Sequence, residues 1–130
     1  VQSFAKVGLI PDAGGTYHLT QILGPLRAKA WAMTATPITA QTAQDWGLVW
    51  QCFEADALLD AARKMTADLA RGATLGLAQT KHAIHKAGQM DLEAHMALEA
   101  EIQRACGQSA DYLEGVTAFL DKRPAQYSGR

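Results

Sequence analysis

Between Ala57 and Lys122 the sequence runs through four successive segments in which apolar residues recur at helical spacing. Ala57 to Ala70 carries Leu58, Ala61, Ala62, Met65 and Leu69 on one stripe, an amphipathic helix. Thr74 to Ala87 follows with a mixed face of Leu77, Lys81, Ile84 and Lys86, and Asp91 to Cys106 is the longest expected helix. Asp91 and Ala94 do not form a capping box, but the acids at this end suit the helix dipole. Ser109 is placed to cap a last helix that ends near Lys122. Upstream, Thr16 to Leu23 and Leu26 to Thr34 read as two helices separated by Gly24-Pro25, the second with Leu26, Ala30 and Met33 on one face. Thr39 to Gly47 is a third, with Thr39 as N-cap and Gly47 just past its end. Only Leu48 to Phe53 reads as a strand. One short strand cannot build a sheet, so the expected fold is an α-rich fragment with at most one or two short strands and its partner region elsewhere.

The remaining numbers exclude more than they identify. With 130 residues, one domain is the upper bound. Twelve basic residues face thirteen acidic ones, a net charge of -1 with no block of either sign, so no field recruits nucleic acid or an anionic membrane. No apolar run approaches the roughly 20 residues of a membrane span. Cys52 and Cys106 form no framework and no metal spacing, which reads as two reduced thiols in a cytoplasmic protein. His82 and His85 are three apart on one expected helix, but no acid or cysteine stands at ligand spacing; they read as a solvated face, and no metal is expected. None of Ser3, Ser109 and Ser128 lies in a nucleophile turn. Residues Thr36 to Val49 mimic the spacing of a helix-turn-helix, but the segment that would read bases carries no basic residue. The chain starts at Val1 as if within a longer sequence, while Lys122 to Arg130 reads as a polar, frayed tail and a natural C-terminus.

Gly8-Leu9-Ile10-Pro11-Asp12-Ala13-Gly14-Gly15-Thr16 holds a single carboxylate just before an expected helix. Two readings stand. Asp12 caps the helix by accepting backbone N–H bonds. Alternatively, the glycine pair lets the backbone approach a ligand, Leu9 and Ile10 supply an apolar wall, and Asp12 is a proton carrier. Near the other end, Phe119 stands beside Lys122 and Arg123 on one helix. That is either a helix with a basic C-terminal end or a stacking and phosphate-pairing surface for a nucleotide-like group.

Three stretches together resemble the crotonase family, the enoyl-CoA hydratase/isomerases. They are "GLIPDAGGT" with Leu23-Gly24 and Arg27-Ala28, then "TAQTAQDWGLV", then "EGVTAFLDKRPAQYSG". Order and spacing match over essentially all 130 residues. The resemblance implies the C-terminal half of the α/β ClpP/crotonase spiral fold. Residues 1–54 would be the end of the core with the active-site loop, and 55–130 a helical region for oligomerisation and CoA contact. It places the oxyanion-hole donors in a preceding half and implies a homo-oligomer, a trimer or dimer of trimers. No separate cofactor is implied, since coenzyme A arrives within the thioester substrate. Hydratases of the family set two glutamates around one water. Phe4 stands at the position of the second, and Asp12 stands where they have glycine. The acid has moved along the loop, as in the isomerase branch. The implied activity is an acyl-CoA isomerase that shifts a double bond, or isomerises a ring epoxide of phenylacetyl-CoA, with Asp12 as proton carrier. Phe4, Val7 and Ile10 would line the acyl pocket, and Phe119 and Lys122 would meet the adenine and phosphate end of CoA. Hydration by the same family, or a non-catalytic assembly module, are the rival readings.

Overall fold

The computed structural model describes residues 1–130 and divides into two compact units, Val1–Leu58 and Leu59–Arg130. A short 3-10 helix, Ser3–Val7, is followed by α1 (Gly15–Thr34), α2 (Ala40–Asp45), α3 (Leu58–Ala70), α4 (Thr74–Ala87), α5 (Leu92–Gly107) and α6 (Ala110–Leu120). No strand is present.

In the first unit the expected pair of helices is one helix with a kink. Gly24 takes φ 72° and ψ 165°, a conformation essentially closed to residues with a Cβ, and Pro25 restarts the helix with its φ already set. The kink aims the second half differently from the expected face. Leu26 and Met33 are exposed, whereas Leu19, Leu23, Ala28 and Trp31 form the core, with Ile38, Trp46 and Leu48 packed against it. Trp31 donates its indole N–H to the Thr36 carbonyl at 2.9 Å and meets Trp46 edge-on, 6.5 Å between centroids. The Arg27 guanidinium lies 5.7 Å from the Trp46 ring centre.

Thr39 caps α2 as expected, its hydroxyl accepting from the Thr42 N–H at 3.0 Å. The expected strand at Leu48 to Phe53 is absent. Its N–H groups at Leu48, Val49 and Cys52 go to α2 instead of to a neighbouring strand. The Leu48 N–H donates to the Ala43 carbonyl at 2.8 Å, the Cys52 N–H to Gln44 Oε1 at 2.5 Å, and the Cys52 thiol to the Ala40 carbonyl at 3.0 Å. Aromatic and β-branched composition favours extended backbone, but without a second strand those donors take the nearest acceptors.

In the second unit α4 packs on α5 and α5 on α6. Asp91 caps α5 through the Ala94 N–H at 2.8 Å, and Ser109 caps α6 through the Tyr112 N–H at 3.0 Å. The α3 stripe stays largely open: Leu58 and Leu69 are exposed. On its outer face Asp68 accepts from Lys64 at 2.7 Å and also pairs with Arg71. The Lys64 hydrogen bond leads the effects that hold the Asp68 carboxyl below its usual range. No helix is long and apolar enough to cross a membrane.

The C-terminal tail is pinned, not frayed. Asp111, at the start of α6, is buried and accepts from the Ser128 N–H at 2.6 Å, the Ser128 hydroxyl at 3.2 Å and the Gly129 N–H at 2.9 Å. Its own N–H donates to the Arg130 carbonyl at 3.0 Å. One turn later Glu114 accepts from both Arg123 Nη atoms, at 2.7 and 2.9 Å, and from the Gln126 N–H at 2.7 Å.

Candidate active site

The loop before α1 is made of backbone that few residues adopt. The 3-10 helix ends at Gly8, and the Leu9 N–H closes back on the Phe4 carbonyl at 3.0 Å. Leu9, Ile10 and Pro11 then run to Asp12. Ala13 and Gly14 are both left-handed, φ 49° and 78°, before α1 begins. For Ala13 this conformation costs about 1–2 kcal/mol, so it persists only because the surroundings impose it. Gly15 packs against Pro11, and the His18 imidazole lies over Gly14, so close that a Cβ there would meet it at 3.1 Å. Tyr17 meets the His18 ring edge-on. Its packing on Gly14 makes His18 a wall of this loop.

Asp12 does not cap α1. The N-cap position is Gly14, with no side-chain bond, and the only bond at Asp12 is its carbonyl accepting from the Gly15 N–H at 2.7 Å. Its carboxylate takes no hydrogen bond and no ion pair and is exposed. The left-handed pair at residues 13 and 14 turns the chain into the helix without the side chain, which leaves both carboxylate oxygens available.

Beside the loop lies a groove of about 310 Å³, walled by Leu9, Ile10 and Pro11 on one side and by Leu19, Ala28 and Met33 of α1 on the other. Lys29 is the one charged residue on its lining. Of the three residues expected to line an acyl pocket, Ile10 is on this groove. Phe4 and Val7 do not line the groove: Phe4 is half-buried in the 3-10 turn, and Val7 is exposed.

The second pair of expected residues belongs to the second unit. Phe119 is 83 % exposed and borders a groove of about 500 Å³ with Tyr112, Val116, Leu120 and Tyr127. Lys122 lies just past the end of α6 with a left-handed backbone, and its side chain makes no hydrogen bond or ion pair. What sequence reasoning missed is the scaffold beneath them. Hydrogen bonding from Arg123, aided by the Gln126 N–H and opposed by partial burial, holds Glu114 at about 2. The same pairing raises Arg123. The Ser128 N–H leads the bonds that lower Asp111. The signal was the nine-residue span from Glu114 to Arg123, which brings a carboxylate in mid-helix level with a guanidinium just beyond the helix end.

Elsewhere, no group of three or more His, Cys, Asp and Glu side chains is placed to hold a metal ion. His82 and His85 are exposed on α4. His95 of α5 sits in a groove with α4, its Nε2 3.4 Å from Glu99 and its Nδ1 without a partner.

Against known proteins, the enoyl-CoA hydratase/isomerase family model matches residues 1–130. The 1,2-epoxyphenylacetyl-CoA isomerase of Escherichia coli is 42 % identical over 130 residues, which is all of this chain and 50 % of that protein. The 2,3-dehydroadipyl-CoA hydratase of the same organism is 34 % identical over 124 residues, 95 % of this chain and 49 % of that protein. Among solved structures, an enoyl-CoA hydratase from Bacillus anthracis superposes with a TM-score of 0.90 at 31 % identity, covering 96 % of this chain and 48 % of that one. The chain spans about half the length of the curated relatives it matches.

Proposed function

The chain belongs to the enoyl-CoA hydratase/isomerase family, and from that premise we propose that it supplies the proton-carrying acid of an acyl-CoA isomerase. The observation that carries the reading is the Asp12 carboxylate. It is unbonded, on a loop whose left-handed residues turn the chain into α1 without it, and it directly follows Leu9, Ile10 and Pro11, which wall an apolar groove. A free carboxylate within reach of a carbon acid is a general base.

For a 3-enoyl thioester the step balances within the substrate. Asp12 takes a proton from C2, and the C–H electron pair moves toward the thioester oxygen as an enolate. The double bond then shifts to C2–C3, and the same carboxyl returns the proton at C4. Hydrogen-bond donors on the thioester oxygen stabilise the enolate; the resemblance assigns them to residues outside these 130. Ile10 and the groove at Leu9 and Pro11 hold the acyl or aryl group. The likeness to the Escherichia coli isomerase supports a ring epoxide of phenylacetyl-CoA as substrate, converted without loss of atoms to the ring-expanded oxepin thioester. Phe119 gives an apolar surface, and Lys122 a point charge, to the adenine and phosphate end of CoA. The same reading carries a cytoplasmic trimer or dimer of trimers; exposed Leu113 and Leu120 on α6 supply apolar surface for subunit contact.

The test offers the intact protein a 3-enoyl-CoA, a 2-enoyl-CoA and the phenylacetyl-CoA ring epoxide. Isomerisation well above hydration is the expected result. Dominant hydration of the 2-enoyl-CoA would place the protein in the hydratase branch and overturn the assignment.

A further inference from the structure

Helix α6 ends in a pattern that normally asks for glycine. The Arg123 N–H donates to the Ala118 carbonyl at 3.0 Å and the Lys122 N–H to the Phe119 carbonyl at 3.2 Å. These two bonds define a helix stop whose penultimate residue is left-handed, and glycine fills that position most cheaply. Here it is Lys122, at φ 54°. Unlike Ala13 and Ala35, which share this backbone, Lys122 carries a long cationic side chain at the turn, so the strained position also fixes where a charge leaves the surface.

The residues around Lys122 are held on both sides. Arg123 lies in a two-pronged bridge on Glu114, donates a further bond to the Pro124 carbonyl at 3.2 Å, and has its Nε 3.5 Å from Asp121. Glu114 in turn takes the Gln126 N–H at 2.7 Å, so the chain is fixed after Lys122 as well as before it. Lys122 alone has no partner for its ammonium, and Phe119, joined to it by the backbone bond, shows its ring to solvent.

We propose that Glu114 and Arg123 are positioning residues: their bridge forces Lys122 into the left-handed turn and so presents its ammonium and the Phe119 ring as one fixed surface for the phosphate and adenine of a CoA thioester. The inference rests on the CoA contact assigned above to Phe119 and Lys122. A planar, doubly bonded guanidinium can hold such a turn; a lysine in its place pairs as a point charge and leaves the turn free to relax. With Glu114 ionised down to about 2, the bridge is intact across the whole working pH range.

The experiment measures KM, kcat and Tm in the intact protein for a 3-enoyl-CoA and for the matching 3-enoyl-pantetheine thioester, which lacks the nucleotide. Lys122→Gly, Arg123→Lys, Glu114→Gln and the double variant Lys122→Gly/Arg123→Lys are compared with wild type. Lys122→Gly is expected to raise Tm, because it relieves the turn, while raising KM for the CoA ester about tenfold with kcat nearly unchanged. Arg123→Lys and Glu114→Gln are expected to raise the same KM by a smaller factor and to leave the pantetheine thioester unaffected. In the Lys122→Gly background Arg123→Lys should add nothing to KM, since its effect passes through Lys122. An unchanged KM in Lys122→Gly defeats the CoA-contact reading itself. A raised KM in Lys122→Gly with no change in Arg123→Lys and Glu114→Gln, or with independent effects in the double variant, defeats the positioning role alone. Lys122→Gly leaves the bridge untouched, so the Lys122 contact is read in a folded protein even where a bridge variant lowers Tm.

Discussion

Asp12 of the first unit and the Asp111 and Glu114 pair of the second are treated in opposite ways. In the first, Asp12 stands at a helix entrance, the ordinary place for a cap, and bonds to nothing through its side chain. In the second, Asp111 and Glu114 together accept five hydrogen bonds from the segment Arg123 to Gly129 and a sixth from the Ser128 hydroxyl. The bonded acids tie down a chain end and are held ionised by their donors. The unbonded one is kept available by strained backbone at Ala13 that does the turning in its place. An acid whose oxygens are all taken serves architecture; an acid freed at a cost in backbone strain can serve chemistry.

The comparison breaks first at Asp12. Asp12→Asn should lower isomerase turnover by about 10²–10⁴, the range of a lost general base, while thermal unfolding stays within about 0.5 kcal/mol of wild type because no bond is lost. Asp111→Ala should show the converse. Turnover chemistry persists, but the N–H groups of Ser128 and Gly129 lose their acceptor, and hydrogen exchange there should accelerate about tenfold or more as the tail detaches. Proton linkage sharpens the contrast. Both folded carboxyls lie below their unfolded values, Glu114 at about 2. Their contribution to stability is therefore complete above the unfolded value near 4 and is lost as pH falls through the folded one. Tm should decline from about pH 5 toward pH 2, and Glu114→Gln should flatten that decline. The smallest effect is expected at Gly129, whose φ is 79° and where a Cβ would stand 2.6 Å from Thr74 Oγ1. Gly129→Ala should cost about 1 kcal/mol in denaturant unfolding and leave turnover unchanged.

Local chemistry made much of the fold readable. Thr39 and Ser109 cap the N–H groups three residues on, as their positions before apolar-periodic runs require. Gly24-Pro25 announces a break, but whether a glycine separates two helices or kinks one depends on how the second half packs, and Trp31 and Ala28 decide that through the core. Leu48 to Phe53 has the composition of a strand and lacks a strand to pair with, a fact no local window contains. The tail from Lys122 looks loose by composition because its anchors lie 17 residues back at Asp111 and 12 residues back at Glu114. At the candidate site, Asp12, Ile10, Phe119 and Lys122 stand in the sequence as expectations of its resemblance, and of the expected acyl wall Ile10 lines the groove while Phe4 and Val7 do not. That the Asp12 carboxylate is left unbonded follows only from the left-handed backbone at Ala13 and Gly14, which the letters Ala-Gly do not announce.

Breakage of the C2–H bond is the event assigned to Asp12, and it can be watched directly. A 3-enoyl-CoA deuterated at C2 is incubated with the intact protein and with its Asp12→Asn variant, and loss of deuterium from C2 is followed by NMR. The account predicts steady loss with the wild type and retention at C2 with the variant, both proteins being equally folded. Loss at the same rate from both would contradict it, and the unbonded carboxylate would then have no part in moving the proton.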